Sequence, residues 1–102
     1  YSMQQITFPI RVMKALGVTH LFISNASGGM NEDFEVGDLM IIRDHIYMQP
    51  EHPLRGKNEE SLGPRFPNMN HAYNKELINK GLEIALENDI CCHTGVYVGV
   101  MG

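Results

Sequence analysis

The residues best suited to binding a ligand lie where a largely apolar run, residues 18–24, is followed by the sequence NASGGM at residues 25–30. Two adjacent glycines, Gly28 and Gly29, can adopt backbone angles that are closed to other residues. A turn built there can direct backbone N–H groups toward one concave spot that binds an oxyanion. The junction therefore suggests an anion or nucleotide-phosphate pocket at a strand end, whereas the residue pattern alone favours a purely structural turn.

This glycine pair matches neither of two common phosphate-binding motifs. The Rossmann fingerprint needs G-x-G-x-x-G at the start of a helix, and the Walker loop needs Gly-Lys followed by Ser or Thr. The sequence therefore disfavours a dinucleotide cofactor or ATP as the ligand.

Other polar residues are interpreted as structural. Asp44 and His45 are adjacent, and neighbours on an extended strand point to opposite faces, so they are poorly placed to share one substrate proton. We expect both to make structural hydrogen bonds, and metal binding by His45 with His52 is the alternative. His20, inside a predicted strand, is expected to be hydrogen-bonded, and Asn25 is expected to stabilise its turn through backbone groups.

The cysteines and the charge balance exclude several classes of function. Cys91 and Cys92 are adjacent, which fits neither a CxxC metal site nor a simple disulfide framework, so reduced, partly buried thiols are expected. The net charge is −4 with eight basic and twelve acidic residues and no basic cluster, which disfavours nucleic acid as a partner. No apolar stretch is long enough to cross a membrane, and no secretory leader is visible, so a cytoplasmic location is expected.

The elements that would position these residues alternate between helix and strand. The patterns predict helices over residues 7–16 and 71–88, strands over residues 18–23, 39–42 and 95–101, and a long proline-rich loop from 47 to about 70. In the first helix, Thr7 is the predicted cap, Pro9 falls in the first turn and Gly17 ends the helix. The second strand is predicted to end in the polar group Arg43, Asp44 and His45. This order is typical of an α/β fold.

Several motifs, in order and with similar spacing, resemble the trimeric class of purine nucleoside phosphorylases. They cover nearly the whole chain: TFPIRV at 7–12, FISNASGGM at 22–30, FEVGD at 34–38, IRDHI at 42–46, PLRG at 53–56, NE at 58–59 and RFP at 65–67. The resemblance implies a three-layer αβα fold with a mixed central sheet. Residues 1–102 would be part of a single phosphorylase domain, truncated at both ends.

The activity that the resemblance implies is phosphorolysis. Inorganic phosphate attacks the anomeric carbon of a purine nucleoside, giving the free base and ribose 1-phosphate, with no organic cofactor or metal. The family's other phosphate, purine and ribose ligands fall outside these residues, so the chain holds no catalytic residue and is expected to be inactive alone.

The resemblance also assigns roles to individual residues. The backbone N–H of Ala26 helps to hold phosphate, and Ala26, Ser27 and Gly28 line the purine slot. Many relatives have Ala at the position of Ser27, whose hydroxyl either donates to a ligand or, as we favour, bonds to nearby backbone. Phe66 would cover the sugar site of a neighbouring subunit, which implies a homotrimer with shared active sites.

Two alternatives stay open from the sequence. Methylthioadenosine phosphorylase shares the fold and the reaction, but its glycine turn usually has a Thr-Ala-Cys-Gly-Ser type of sequence, unlike residues 25–29 here. The second alternative is a non-catalytic protein that binds a nucleoside or phosphate on the same scaffold. The preferred purine nucleoside is not readable from these residues.

Overall fold

The computed structural model describes residues 1–101, so Gly102, the last residue of the predicted domain, lies outside the described part of the chain. The elements are α1 (Met3–Ala15), β1 (Leu39–Tyr47), a 3-10 helix (Glu60–Leu62), α2 (Lys75–Glu87) and β2 (Cys92–Gly99). They fall into two compact units. The first contains Tyr1–Gly28 and Pro50–Arg65, and the second contains Gly29–Gln49 and the residues from Phe66 onward.

Helix α1 begins earlier than its apolar pattern suggested. Ser2 is the N-cap, and its side chain accepts a hydrogen bond from the Gln5 N–H while the Gln5 side chain accepts one from the Ser2 N–H. This reciprocal pair is a capping box, which satisfies two backbone donors that the helix start leaves free. Thr7 is therefore not the cap, and its hydroxyl donates to the carbonyl of Met3 inside the helix. Pro9 likewise lies inside the helix rather than in its first turn.

The end of α1 is formed as predicted. Gly17 has a φ of 87°, a conformation that costs glycine little. The Val18 N–H donates to the Met13 carbonyl at 3.0 Å, and the Gly17 N–H donates to the Lys14 carbonyl at 3.1 Å. These two bonds form a Schellman motif, which satisfies carbonyls that the last turn leaves free.

The predicted strand over residues 18–23 is wrong in this structure, because these residues have no regular secondary structure. Phe22 is 94% exposed and Ile23 is 70% exposed, so the apolar run does not pack as a buried strand. A strand needs a neighbour to pair with its backbone groups, and β propensity mainly reflects packing against such neighbours. Within residues 1–101, β1 and β2 pair only with each other.

The second unit is built on a β1–α2–β2 crossover with two parallel strands. The register runs from Leu39 opposite Cys92 to Tyr47 opposite Gly99, with an irregularity between Ile42 and Asp44. Strand β1 thus continues through Arg43, Asp44 and His45, the polar group in which it was predicted to end, and the irregularity in the register takes up the extra residue. Strand β2 begins three residues before its predicted start and ends at Gly99.

Helix α2 packs on this sheet through small residues. Asn74 caps the helix by accepting a hydrogen bond from the Leu77 N–H at 3.0 Å, which is why the helix begins later than predicted. A Cβ at Gly81 would lie 2.8 Å from the Cδ1 atom of Ile41, so only glycine allows this approach without a shift. Ala85, on the same helix, is 7% exposed and is the buried hydrophobic residue of the described chain.

The chain buries little apolar surface. Its accessible area is 9255 Å², whereas an independent domain of this mass exposes about 5,800 Å². The two helices have 13 residues each, and neither helix of the described chain has the length and apolar character needed to traverse a bilayer. Most apolar side chains therefore remain available for packing against further protein.

Candidate functional site

The predicted phosphate segment at residues 25–30 is an open, irregular stretch. The Asn25 amide donates to the carbonyl of Ala26 at 3.1 Å, which confirms that Asn25 bonds to local backbone. Neither Gly28 nor Gly29 has a positive φ, so the prediction that the pair uses glycine-only backbone angles is wrong. A Cβ at Gly28 would meet no atom within 4 Å. Gly28 is therefore not required by its backbone conformation, and the space beside it is open.

The backbone amides of this segment have no internal partner. Within residues 1–101, the N–H groups of Ala26, Ser27 and Gly28 donate no hydrogen bond to the protein, and all three residues are exposed. The Ser27 hydroxyl makes no bond to backbone in the described chain either, so the local bond that we favoured is not formed. Three successive amide donors and one hydroxyl are thus available to a ligand such as an oxyanion.

Phe66 lies in the proline-rich loop and is 89% exposed. It begins the second part of the second unit, directly after Arg65, the last residue of the first unit. The loop before it is held by its own polar contacts, because the Arg65 guanidinium donates to the Leu54 carbonyl at 2.5 Å and the Asn58 amide donates to the Gly63 carbonyl at 3.3 Å. The Phe66 ring is therefore exposed, while hydrogen bonds hold the loop residues that precede it.

His45 lies in an aromatic group, as its predicted structural role requires. Its Nδ1 atom is hydrogen-bonded to the Tyr73 hydroxyl, and the two rings stack with centroids 5.6 Å apart. The Tyr97 ring lies on the same residue at 5.1 Å. Burial, and then the negative charge of Asp44, raise the pKa of Tyr73, which keeps its hydroxyl protonated. The Asp44 carboxylate accepts the His45 N–H at 2.8 Å, so both residues make structural hydrogen bonds.

We expect the Tyr73→Phe change in the full-length protein to lower the free energy of unfolding by about 0.5 to 1.5 kcal/mol, the value of one hydrogen bond. Because folding raises the pKa of Tyr73, its contribution is fully present below the ordinary tyrosine pKa of about 10 and is lost as pH rises through the folded value. Denaturant unfolding at neutral and alkaline pH measures this difference. Tyr1→Phe is the control, and equal stabilities of both variants would contradict the expectation.

His20 also makes the predicted structural bond. Its Nδ1 atom lies 2.9 Å from the Thr19 hydroxyl, although both side chains are exposed because the predicted strand around them is not formed.

A second polar cluster, which the sequence analysis did not identify, lies at the starts of β1 and β2. His93 Nε2 is 2.8 Å from Asp38 Oδ2 and 3.5 Å from Cys91 Sγ, and the three ligand atoms all lie within 4.8 Å of one another. Phe34 stacks on the His93 ring with centroids 4.4 Å apart. Within the described chain, this is the group of three or more ligand-type side chains whose atoms lie close enough to share one ion, and it includes neither His45 nor His52.

The cluster shifts the acidity of two of its members. The Glu35 backbone N–H, followed by the imidazole of His93, holds the pKa of Asp38 below its ordinary value. The nearby Asp38 carboxylate raises the pKa of the Cys91 thiol. Cys91 and Cys92 are both free, as predicted, with Cys91 exposed and Cys92 half-buried. The spacing of Cys91 and His93, two residues apart on an extended segment, indicates that they share one face. The proximity of Asp38 to them follows only from the pairing of β1 with β2.

The family model of the phosphorylase superfamily matches residues 1–102, the whole chain. The chain is 51% identical over 102 residues to purine nucleoside phosphorylase 1 of Bacillus subtilis and covers 38% of that protein. It is 51% identical over 83 residues to purine nucleoside phosphorylase of Bos taurus, with 78% of this chain and 29% of that protein aligned. The chain thus spans well under half the length of these curated relatives.

Two solved structures are also similar to this chain. A schistosoma purine nucleoside phosphorylase in complex with hypoxanthine matches all of this chain with a TM-score of 0.95 and 42% identity, over 38% of its own length. Isoform 2 of the Schistosoma mansoni enzyme, in complex with cytosine and ribose-1-phosphate, matches with a TM-score of 0.91 and 41% identity over the same shares. The family predicted from the motifs is confirmed, and the chain belongs to the phosphorylase superfamily.

Proposed function

We propose that the full-length protein containing this chain catalyses phosphorolysis of purine nucleosides to a free purine base and ribose 1-phosphate. The observation that carries the proposal is the match of the entire chain to purine nucleoside phosphorylases, with 50–51% sequence identity. The structural neighbour bound to hypoxanthine supports a purine base as one product, and the neighbour bound to ribose-1-phosphate supports the sugar phosphate as the other. Inorganic phosphate would be the second substrate, and neither a metal nor an organic cofactor is part of this reaction.

The full-length protein would have the three-layer αβα fold with a mixed central sheet. The parallel β1–α2–β2 crossover supports the α/β class, and the large area left exposed by residues 1–101 supports their place within one larger domain. Residues 1–102 would then form part of a single phosphorylase domain that continues at both ends. A cytoplasmic location completes this proposal.

The reaction has two physical requirements. The bond between C1′ and N9 breaks through a cation-like sugar, and its electron pair passes to the purine, while a phosphate oxygen forms the new bond to C1′. A site must therefore hold phosphate against the sugar and stabilise charge that develops on the base. Fixed backbone donors suit the first task because they need little reorganisation during the reaction.

We assign the first task to the backbone amide of Ala26. This amide and its two neighbours donate no internal hydrogen bond within the described residues, which supports their role as phosphate donors. Ala26, Ser27 and Gly28 would also line the purine slot, because their small side chains leave room for a flat ring. The open space at Gly28 supports this part of the assignment.

Phe66 would cover the sugar site of a neighbouring subunit in a homotrimer. Its ring is 89% exposed on a loop whose preceding residues are held by polar contacts, which supports an intermolecular role. Each active site would then combine the phosphate segment of one subunit with Phe66 of the next.

The test of the proposed function is a phosphorolysis assay of the full-length protein with inosine, guanosine and methylthioadenosine, each with phosphate. Release of hypoxanthine or guanine together with ribose 1-phosphate would support the proposal. Cleavage of methylthioadenosine alone would identify the methylthioadenosine enzyme instead. Nucleoside binding without any cleavage would identify a non-catalytic binding protein.

We expect the Ser27→Ala change to raise the KM for phosphate or for nucleoside by about 2- to 10-fold, the range of one neutral hydrogen bond. The reason is that the Ser27 hydroxyl makes no bond to backbone within the described residues and is free to donate to a ligand. Steady-state kinetics of the full-length protein, with each substrate varied in turn, measure the change. Two unchanged KM values would assign the hydroxyl no ligand contact.

A further inference from the structure

We infer that Asp38, Cys91 and His93 form a binding site for a divalent metal ion of the zinc type, separate from the residues assigned to phosphorolysis. The three side chains offer a carboxylate oxygen, a thiol sulfur and an imidazole nitrogen that all lie within 4.8 Å of one another. This mixture of donors is the one that Zn²⁺ prefers in proteins.

The distances between the donor atoms are close to those of a tetrahedral zinc site. With the usual bond lengths, a zinc ion holds its sulfur and nitrogen ligands about 3.5 Å apart and its nitrogen and oxygen ligands about 3.3 Å apart. The Sγ of Cys91 is 3.5 Å from Nε2 of His93, and that nitrogen is 2.8 Å from Oδ2 of Asp38. Of these two distances, only the second must open, by about half an ångström, and the third pair, Cys91 Sγ and the Asp38 carboxylate oxygen, lies within 4.8 Å.

The fold holds the three donors in place from two parallel strands. Asp38 directly precedes β1, and Cys91 directly precedes β2, which contains His93. The Leu39 N–H donates to the Cys91 carbonyl at 3.1 Å, so the two strand starts are fixed side by side. Cys91 and His93 are two residues apart on an extended segment and therefore share one face.

Neighbouring groups orient the donors as outer partners do in metal sites. The Glu35 N–H donates to Oδ2 of Asp38 at 3.0 Å, and Phe34 stacks on the His93 ring at 4.4 Å. Such partners fix the orientation of ligands and raise metal affinity. Three protein ligands leave the fourth tetrahedral position to water, and the ion would link the segment before β1 to the start of β2. Binding requires the Cys91 thiol to release its proton to solvent, and the proton between His93 Nε2 and Asp38 Oδ2 must move to Nδ1 of His93 or to solvent.

The test is metal binding by the full-length protein, after chelator treatment and with its thiols reduced. We expect one Zn²⁺ per chain, and we expect Co²⁺ to give the absorption band of a cobalt–thiolate bond. Cys91→Ser, His93→Gln and Asp38→Asn should each weaken Zn²⁺ binding about tenfold or more. Zn²⁺ should also raise the Tm of the unaltered protein, because an ion that binds only the folded state stabilises it.

Cys92→Ser is the matched control, because this thiol is adjacent to Cys91 but lies outside the cluster, with its Sγ 3.8 Å from the His93 carbonyl. It should keep the cobalt–thiolate band and the Zn²⁺ affinity. Circular dichroism checks that each variant is folded without metal. Less than one Zn²⁺ per chain, absence of the band, or equal losses in Cys91→Ser and Cys92→Ser would overturn the inference. None of these readouts depends on phosphorolysis, so the site and the proposed function can fail independently.

Discussion

Ala26→Pro in the full-length protein is expected to lower kcat/KM for phosphate by about 100-fold. Proline has no backbone N–H, so the change removes the donor assigned to phosphate. The loss of one preorganised donor to an oxyanion costs a factor of this size in other enzymes. The residues around Ala26 have no regular secondary structure, so the fixed φ of proline interrupts no helix or strand. Initial rates at varied phosphate and saturating inosine measure the effect.

The matched control for this change is Ala26→Gly, which keeps the N–H and removes only a methyl group. It should retain far more of the kcat/KM for phosphate than Ala26→Pro, because the N–H donor assigned to phosphate is kept. Thermal unfolding shows whether both variants remain folded. Equal rates for the proline and glycine variants would contradict the assignment of the Ala26 amide. A crystal soaked in phosphate, with the ion beside that amide, would support it directly.

Phe66→Ala is expected to raise the KM for nucleoside by about 10-fold or more and to leave the KM for phosphate unchanged. The proposed role of the ring is to cover the sugar, and the loss of a single methylene contact in an apolar pocket already costs about 10- to 200-fold in discrimination. Met69→Ala is the matched control, because Met69 lies in the same loop and is 63% exposed but has no assigned contact. Unaltered kinetics of the Phe66→Ala variant would contradict the proposal that Phe66 covers the sugar site.

Mixed oligomers test whether the active sites are shared. In a trimer that combines Ala26→Pro subunits with Phe66→Ala subunits, a shared site can receive both intact residues from two different chains. We therefore expect the mixture, unfolded and refolded together, to be more active than either variant alone. Activity equal to the average of the two parents would mean that each subunit builds its own site. Sedimentation of the same samples reports the oligomeric state.

The elements that the sequence predicted well are those whose signals are local. The glycine that ends α1 and the apolar face of α2 lie within a few residues of the contacts they specify, so the two helices were found. Their starts differ from the prediction because the caps lie elsewhere: Ser2 precedes the predicted start of α1 at residue 7, and Asn74 lies inside the range 71–88 predicted for α2. Cap geometry and periodicity are separate signals, and in α1 the capping residue Ser2 lies five positions before the predicted cap, Thr7.

The strand over residues 18–23 could not be predicted from its own residues. Its β-branched and aromatic side chains indicate a strand only when a neighbouring strand pairs with it, and the described chain supplies none. The geometry of the predicted phosphate segment, residues 25–30, could not be derived from its own residues either. The sequence identified Ala26 and Ser27 through a family motif, but it could not give the state of their amides or show that Gly28 avoids positive φ.

The Asp38, Cys91 and His93 cluster was missed for a different reason. Two of its members are two residues apart, but the third is 55 positions from His93 and reaches them only through the parallel register. The predicted β2 began at residue 95, which placed both Cys91 and His93 before the strand. An error of three residues at one strand start was therefore enough to hide the group.

The two-stranded sheet has a practical consequence for handling this polypeptide. Each strand uses one side for its partner, so within residues 1–101 each has a second side where its N–H and C=O groups have no paired strand. Such unpaired strand edges pair with strands of other molecules, and exposed apolar side chains such as Ile46, which is 52% exposed, add apolar contacts to this pairing. Expressed without the remainder of a phosphorylase, these 102 residues are expected to accumulate as insoluble aggregates. Work on the site therefore requires the longer polypeptide from the outset.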